Sequence, residues 1–157
     1  MRRFTLSLFA ACALAACGGG SSGATTTADT EGTTGAETPA QELAQVSVDE
    51  VAGAVEGHDP SWAIFDANSR ETFDANHVPG ATWVDYDAVT QEQLPADRSA
   101  TLVFYCANEQ CEASHVAARS AIGFGYENVR VMGAGIHGWM AAGKPVEGSG
   151  ASTTAEE

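Results

Sequence analysis

The sequence has few basic residues, with 7 Lys and Arg against 21 Asp and Glu and a formal net charge of −14 at pH 7. Nucleic acids and anionic membrane surfaces attract clusters of lysine and arginine, so the charge argues against both kinds of partner. The length of 157 residues allows one domain of ordinary size with tails. The 44% of hydrophobic residues is enough to build the core of that domain.

Cysteines are also scarce, with four in the chain. Cys12 and Cys17 lie in the apolar N-terminal stretch, whereas Cys106 and Cys111 lie far downstream with four residues between them. This distribution excludes a small scaffold held together by many disulfides. It leaves one bridge that could form inside the folded part, between Cys106 and Cys111. Outside the cytoplasm such a bridge is allowed to form.

The apolar run at the N-terminus, residues 4–16, is too short to span a bilayer with ease. It follows two arginines and predicts a signal peptide over residues 1–16. The tetrapeptide Leu-Ala-Ala-Cys at residues 14–17 resembles the lipobox of bacterial lipoproteins. That resemblance implies that Cys17 is acylated and becomes the mature N-terminus. An ordinary secretory signal with a chance cysteine remains the alternative.

Large apolar side chains are almost absent from residues 18–42, which are mainly Gly, Ser, Thr, Ala and Glu. Such a segment cannot bury enough surface to offset the entropy of ordering it. We therefore predict a disordered tether over residues 17–42, a folded domain over 43–147 and a disordered tail over 148–157. Together with the signal, this organisation predicts an exported protein at the bacterial cell envelope, on the periplasmic or outer surface. The lipid anchor would be its only contact with the membrane.

Short apolar runs alternate with segments of helical pattern in the folded part. Residues 101–105 are the clearest strand, and helices are predicted at 88–94 and about 114–122, among others. This alternation predicts an α/β fold, with a small parallel β-sheet covered by helices on both faces. Ligands of such folds lie beyond the carboxyl ends of the strands, and the residue that follows strand 101–105 is Cys106.

Cys106 also stands shortly before a predicted helix N-terminus, where backbone N–H groups and the helix dipole favour a thiolate. Judged from the loop alone, two incidental cysteines on a tight turn are an equal alternative. Ser114 is predicted to be the N-cap of the helix. Cys106, Cys111 and His115 could supply three ligands to a metal ion, but no fourth stands nearby, so we predict neither a metal nor a cofactor.

Four groups of residues, in this order and spacing, resemble a single rhodanese domain over about residues 46–146. They are Ile64-Phe65-Asp66 with Glu71-Thr72-Phe73, then His77-Val78-Pro79-Gly80-Ala81, then Val103-Phe104-Tyr105-Cys106, then Gly123-Phe124-Gly125 with Gly135-Ile136-His137-Gly138-Trp139. The resemblance implies a rhodanese-like fold and sulfurtransferase activity. It implies that Cys106 attacks thiosulfate or a persulfide, becomes a persulfide itself and passes the outer sulfur to a thiophilic acceptor such as a thiol.

The same resemblance implies an active-site loop made of Ala107, Asn108, Glu109, Gln110 and Cys111, whose N–H groups are expected to converge on the sulfur. It suggests Asp66, Arg70 and His115 as residues that line or support the pocket. Two features depart from the family. Asn68 occupies the place of a common arginine, with Arg70 displaced, and the loop carries the acidic Glu109 and ends in Cys111. A carboxylate in the loop is expected to weaken the binding of an anionic donor such as thiosulfate.

Cys111 has two interpretations. It resolves a persulfide or a sulfenate on Cys106 by forming a disulfide, or it packs into the base of the loop as a small hydrophobic residue. Together with the family resemblance, these observations leave three possible functions. The first is a monomeric sulfurtransferase with a small sulfur donor and a thiol acceptor. The second is a thiol–disulfide or redox-sensing protein that uses Cys106 and Cys111, and the third is a catalytically inactive rhodanese-like binding domain.

Overall fold

Residues 43–150 are the part of the chain that the computed structural model describes. Their elements in chain order are β1 (Ala44–Gln45), α1 (Val48–Glu56), β2 (Trp62–Asp66), α2 (Arg70–Ala75), β3 (Thr82–Trp83), a 3₁₀ turn (Gln91–Gln93), β4 (Thr101–Tyr105), α3 (Ala113–Gly123), β5 (Val129–Val131) and α4 (Gly135–Ala141). No helix among them is long and apolar enough to cross a membrane. The predicted signal peptide, Cys17 and the predicted tether lie outside the described residues, as do residues 151–157.

The five strands form one sheet in the order β1-β5-β4-β2-β3, and all neighbouring pairs are parallel. β4 is the central strand, and its register places Tyr105 beside Asp66 at the end of β2. Parallel neighbours require crossover connections, and here these carry the helices. The predicted α/β fold with a small parallel sheet is therefore confirmed.

The core consists of two apolar clusters, one on each face of the sheet. Successive side chains of a strand point to opposite faces, so Leu102 and Phe104 belong to one cluster and Val103 and Tyr105 to the other. α3 packs on the Leu102 face through its alanines, and α1 and α4 pack on the Val103 face. Cys106 continues the alternation and joins the cluster that contains α3. The pleat of β4 thus decides which helix the cysteine faces.

The helix predicted over residues 88–94 was wrong, because only the 3₁₀ turn Gln91–Gln93 forms there. Thr90 has an extended backbone, with φ −111° and ψ 155°, and its N–H donates to the side chain of Gln93 at 2.8 Å. Val89 and Leu94, on either side of the turn, are both buried in the core. Residues five apart lie about 140° from each other around an α-helix. A continuous helix would direct the two side chains toward different sides, whereas the extended backbone at Thr90 accompanies burial of both.

The C-terminal segment is held against α2 beyond the predicted end of the domain at residue 147. His77 and Glu147 exchange backbone hydrogen bonds of 2.8 and 2.9 Å. The N–H groups of Ser149 and Gly150 then donate to the last turn of α2 at 2.8 and 2.7 Å. The hydrogen-bonded segment therefore continues to Gly150, the last residue that the structure describes.

Candidate functional site

Cys106 lies directly after the central strand β4, at the carboxyl edge of the sheet where the sequence predicts the site. Its side chain is only 1% exposed and packs in the cluster formed by β4 and α3. The backbone hydrogen bond from the Ala67 N–H to the Tyr105 carbonyl, 2.9 Å long, holds the end of β4 against the segment that follows β2. The nucleophile predicted from the sequence therefore lies at the carboxyl end of the central strand, in a buried position.

Cys106 and Cys111 are joined by a disulfide, and their Cα atoms are 6.2 Å apart. This Cα separation lies within the range that disulfides span without backbone movement. Cys111 is half-buried and also packs against the α3 cluster. Both interpretations of Cys111 thus describe part of what the structure shows, since the residue bonds to Cys106 and contacts the core.

The start of the loop is fixed to the first turn of α4. The carbonyls of Cys106 and Ala107 accept hydrogen bonds from the N–H groups of Ile136 and His137, at 2.9 and 3.0 Å. Gly135 makes this approach possible, because a Cβ at that position would lie 2.5 Å from the Cys106 oxygen and from the Ala107 carbonyl. Gly135 also has φ +61°, a conformation that glycine adopts without steric cost. The backbone at Cys106 is therefore held by two hydrogen bonds and a close packing contact.

The far end of the loop is held mainly by Asn108. Its carbonyl accepts a hydrogen bond from the N–H of Cys111, and its side-chain oxygen accepts one from the N–H of Gln110, both at 3.0 Å. Glu109 and Gln110 are exposed. The expectation that loop N–H groups converge on the sulfur was wrong for this disulfide form. The N–H groups of Gln110 and Cys111 are already paired with Asn108, and no loop N–H bonds the sulfur in the part of the chain that the structure describes.

The polar atoms near the sulfur of Cys106 come from Cys111 and Ser114. The Cys111 carbonyl oxygen lies 3.1 Å and the Ser114 Oγ 3.3 Å from Sγ. A disulfide sulfur carries no proton, so the Ser114 hydroxyl is the donor in its contact. A carbonyl oxygen opposes negative charge on Sγ, whereas a hydroxyl donor favours it. The closed loop therefore suits a neutral sulfur, and Ser114 is the group positioned to stabilise an anionic one.

The prediction that Ser114 caps α3 was wrong. Glu112 occupies the N-cap position with φ −84° and ψ −11°, and its carbonyl accepts hydrogen bonds from the N–H groups of His115 and Val116 at 3.0 and 3.1 Å. Ser114 is the second residue of α3, 2% exposed, and faces the end of β4. Sequence reasoning missed its contact with Cys106. The sequence signal that could have indicated this contact is a small polar residue in the first helical turn, three positions after Cys111.

Asp66 ends β2 next to Tyr105 and is fully buried. Its Oδ1 accepts a hydrogen bond of 2.7 Å from the N–H of Asn68, whereas Oδ2 is buried without a hydrogen-bond partner. Burial raises the pKa of Asp66, although the Tyr105 hydroxyl and Asn68 act in the opposite direction. The Tyr105 hydroxyl accepts a hydrogen bond from the Val78 N–H at 3.0 Å. The structure thus brings Asp66 to the same sheet edge as Cys106, one strand away.

Arg70 and His115, the other two predicted supporting residues, lie in different surroundings. The Arg70 side chain is 62% exposed, pairs with Asp74 at 2.9 Å and lies over the rings of Phe73 and Trp83. These contacts direct its guanidinium to α2 and β3. His115 is half-buried in the first turn of α3, beside Ser114, and its Nδ1 is buried without a hydrogen-bond partner. Only His115 of the two therefore belongs to the helix that Cys106 faces.

The rhodanese-like domain family matches residues 47–142, which is more than half of the chain. The protein therefore belongs to the rhodanese-like domain family. Among curated proteins, none matches this chain.

Several solved structures are similar to the domain. The rhodanese-like domain of an Anabaena protein is 27% identical, with 72% of this chain and 85% of that chain covered and a TM-score of 0.56. A Bacillus halodurans protein is 16% identical, with 69% and 79% covered and a TM-score of 0.63. SseA of Escherichia coli, from the 3-mercaptopyruvate sulfotransferases, is 20% identical, with 68% and 51% covered and a TM-score of 0.55. The likenesses to the last two show a shared fold.

Proposed function

We propose that the protein is a sulfurtransferase that carries sulfane sulfur as a persulfide on Cys106. The contact between the Cys106 sulfur and the Ser114 hydroxyl, 3.3 Å long, is the observation that carries the proposal. It places a hydrogen-bond donor against the atom on which negative charge must develop. Family membership and the first turn of α3 directly beyond the loop add support, because a helix N-terminus also favours an anionic sulfur.

The first half-reaction loads the enzyme. The thiolate of reduced Cys106 attacks the outer sulfur of thiosulfate, a bond forms between Sγ and that sulfur, and sulfite leaves with the electron pair of the broken S–S bond. With an organic persulfide as donor, the leaving group is the thiolate of the donor. Ser114 donates its hydrogen bond to Sγ while the sulfur is anionic, which keeps the nucleophile available in a buried position.

The second half-reaction unloads the enzyme. An acceptor thiolate attacks the outer sulfur of the persulfide, takes that sulfur and releases Cys106 as a thiolate. The two steps share no complex that contains both donor and acceptor, so ping-pong kinetics are expected. The negative charge returns to Sγ, where the Ser114 hydroxyl lies.

A second candidate function, thiol–disulfide exchange or redox sensing, is favoured by the bond between Cys106 and Cys111. Cys106 cannot attack a donor while it is bonded to Cys111. Oxidation of the pair would therefore switch the site off, and reduction would switch it on. The signal pattern predicts export, and disulfides persist outside the cytoplasm.

The two candidates are separated by cyanolysis with the reduced protein and, in parallel, with oxidised protein, using thiosulfate and an organic persulfide as donors and measuring thiocyanate. Cys106→Ser is expected to lower the rate to the uncatalysed background, because it removes the atom that carries the sulfur. A melting curve of the variant controls for folding. Equal rates for Cys111→Ser and the Cys106→Ser/Cys111→Ser double variant, neither of which can form the disulfide, would overturn the sulfurtransferase proposal. An effect of Cys111→Ser alone, and only under oxidation, would favour redox sensing, and no effect of either cysteine would leave a binding domain.

A further inference from the structure

We propose that Cys111 is the resolving thiol of the Cys106 persulfide, so that the protein releases the sulfur as hydrosulfide and is reset by a dithiol reductant. This inference rests on the proposed function, because it needs the persulfide to form on Cys106. It adds a second catalytic residue, a product and a class of co-reactant. The disulfide in the structure is then the intermediate that follows sulfur release.

The structure shows that the two sulfurs reach each other in the folded domain. Residues 107–110 connect the two cysteines. The two hydrogen bonds that Asn108 accepts from Gln110 and Cys111 form a turn that brings Cys111 back toward the end of β4. A thiol tethered in this way has a high effective concentration at the persulfide, far above that of a thiol in solution. Attack by Cys111 is therefore expected to compete well with attack by external acceptors.

The chemical step balances without an oxidant. The Cys111 thiolate attacks the inner sulfur, Sγ of Cys106, and a bond forms between the two cysteine sulfurs. The bond between Sγ and the outer sulfur breaks, and the outer sulfur leaves with the electron pair as hydrosulfide. The persulfide is reduced and the Cys111 thiol is oxidised, so the only further requirement is loss of the Cys111 proton to solvent.

The resetting step has a direction that follows from burial. Cys106 is 1% exposed, whereas Cys111 is half-buried, so an incoming thiolate meets the sulfur of Cys111 first. Attack there makes Cys106 the leaving group, and its thiolate forms against the Ser114 hydroxyl. A second thiol of the reductant then releases Cys111 from the mixed disulfide. A dithiol completes both steps within one molecule.

The charges of the loop favour an internal acceptor over small anionic ones. Glu109 and Glu112 are exposed on either side of Cys111, and residues 106–112 contain no lysine or arginine. Carboxylates at the entrance lower the local concentration of anions such as sulfite. A thiol that is part of the loop needs no diffusional approach. The acidic loop that is unusual for an anion-binding sulfurtransferase thus suits transfer to Cys111.

The test is a single turnover of the reduced, full-length protein with one equivalent of an organic persulfide, without oxygen and without added thiol. Free sulfide is measured, and the tryptic fragment 99–119 is weighed after alkylation, since it contains both loop cysteines and neither Cys12 nor Cys17. Wild type is expected to release one equivalent of sulfide and to yield a disulfide in this fragment. Cys111→Ser is expected to stop at the persulfide, with the mass of one extra sulfur in the fragment. Adding dithiothreitol should then release its sulfide.

Cys106→Ser is the matched control, since it retains Cys12, Cys17 and Cys111 but lacks the atom that carries the sulfur. Release of sulfide by Cys111→Ser at the wild-type rate would overturn the resolving role of Cys111 and leave the sulfurtransferase proposal standing. Absence of both sulfide from wild type and a persulfide in Cys111→Ser would overturn both proposals. Persulfide that accumulates in wild type without a disulfide would overturn the resolving role alone.

Discussion

The two ends of the cysteine loop are held in different ways. At the start, the carbonyls of Cys106 and Ala107 are bonded to α4, and Gly135 packs directly against them. At the far end, Glu109 and Gln110 are exposed, and the backbone is held by the Asn108 turn and by the disulfide. One sulfur therefore lies on a backbone held by α4, and the other lies on a backbone held by the local Asn108 turn, the disulfide and packing against the α3 cluster. The proposed resolving role requires that the Cys111 sulfur reach the Cys106 sulfur, and the bond between the two meets that requirement.

The largest effect is expected from Gly135→Ala, which attacks the fixed end. The new Cβ would meet the Ala107 carbonyl at 2.5 Å in a left-handed backbone conformation, and the clash and the strain together cost about 2–4 kcal/mol. Gly143→Ala is the matched control, because Gly143 has φ +70° but nothing within 4 Å of the added Cβ. Urea unfolding should show a clearly larger loss for Gly135→Ala, together with slower sulfur transfer. Equal losses would mean that the close approach does not hold the loop.

An intermediate effect is expected from Ser114→Ala, which leaves the backbone in place and removes the donor to Sγ. Loss of a hydrogen bond to an anionic sulfur is worth about 1.5–3 kcal/mol, so persulfide formation should be roughly tenfold to a hundredfold slower. The pH profile of Cys106 alkylation, measured in the Cys111→Ser background, should move to higher pH. Ser120→Ala serves as the control. Ser120 lies in the last turns of the same helix, and its hydroxyl donates to the Val116 carbonyl. An unchanged profile for Ser114→Ala would contradict this role for the hydroxyl.

The smallest effect is expected from Glu109→Gln at the exposed end. Removing one solvated charge from the entrance should raise kcat/KM for thiosulfate about twofold at low salt, and the gain should fade at high salt because exposed charges are screened. Glu127→Gln, an exposed carboxylate outside the loop, should leave the rate unchanged. If the higher kcat/KM persisted in high salt, the substitution would have changed the structure of the loop and not only its electrostatic effect on thiosulfate.

Much of the fold was predictable because its signals are local. Apolar strands alternating with helices indicate a parallel sheet, and the carboxyl edge of such a sheet is where Cys106 was expected and is found. The prediction of a helix over residues 88–94 was wrong, because local helix propensity does not report that Val89 and Leu94 both pack into the core. The prediction that Ser114 is the N-cap of α3 was wrong for a similar reason. A serine near a helix start suggests a cap, whereas the packing of α3 on β4 turns it to the sulfur.

The sequence by itself determined the general alternation of strands and helices, the family resemblance and the position of Cys106 after the central strand, because periodicity and spacing are local properties of the chain. Only the tertiary structure decided the surroundings of the sulfur. The approach of α4 at Gly135, the inward position of Ser114 and the bond to Cys111 join elements that are distant in sequence or depend on how a loop closes. Such contacts depend on how helices pack on the sheet, and local preference does not encode that packing.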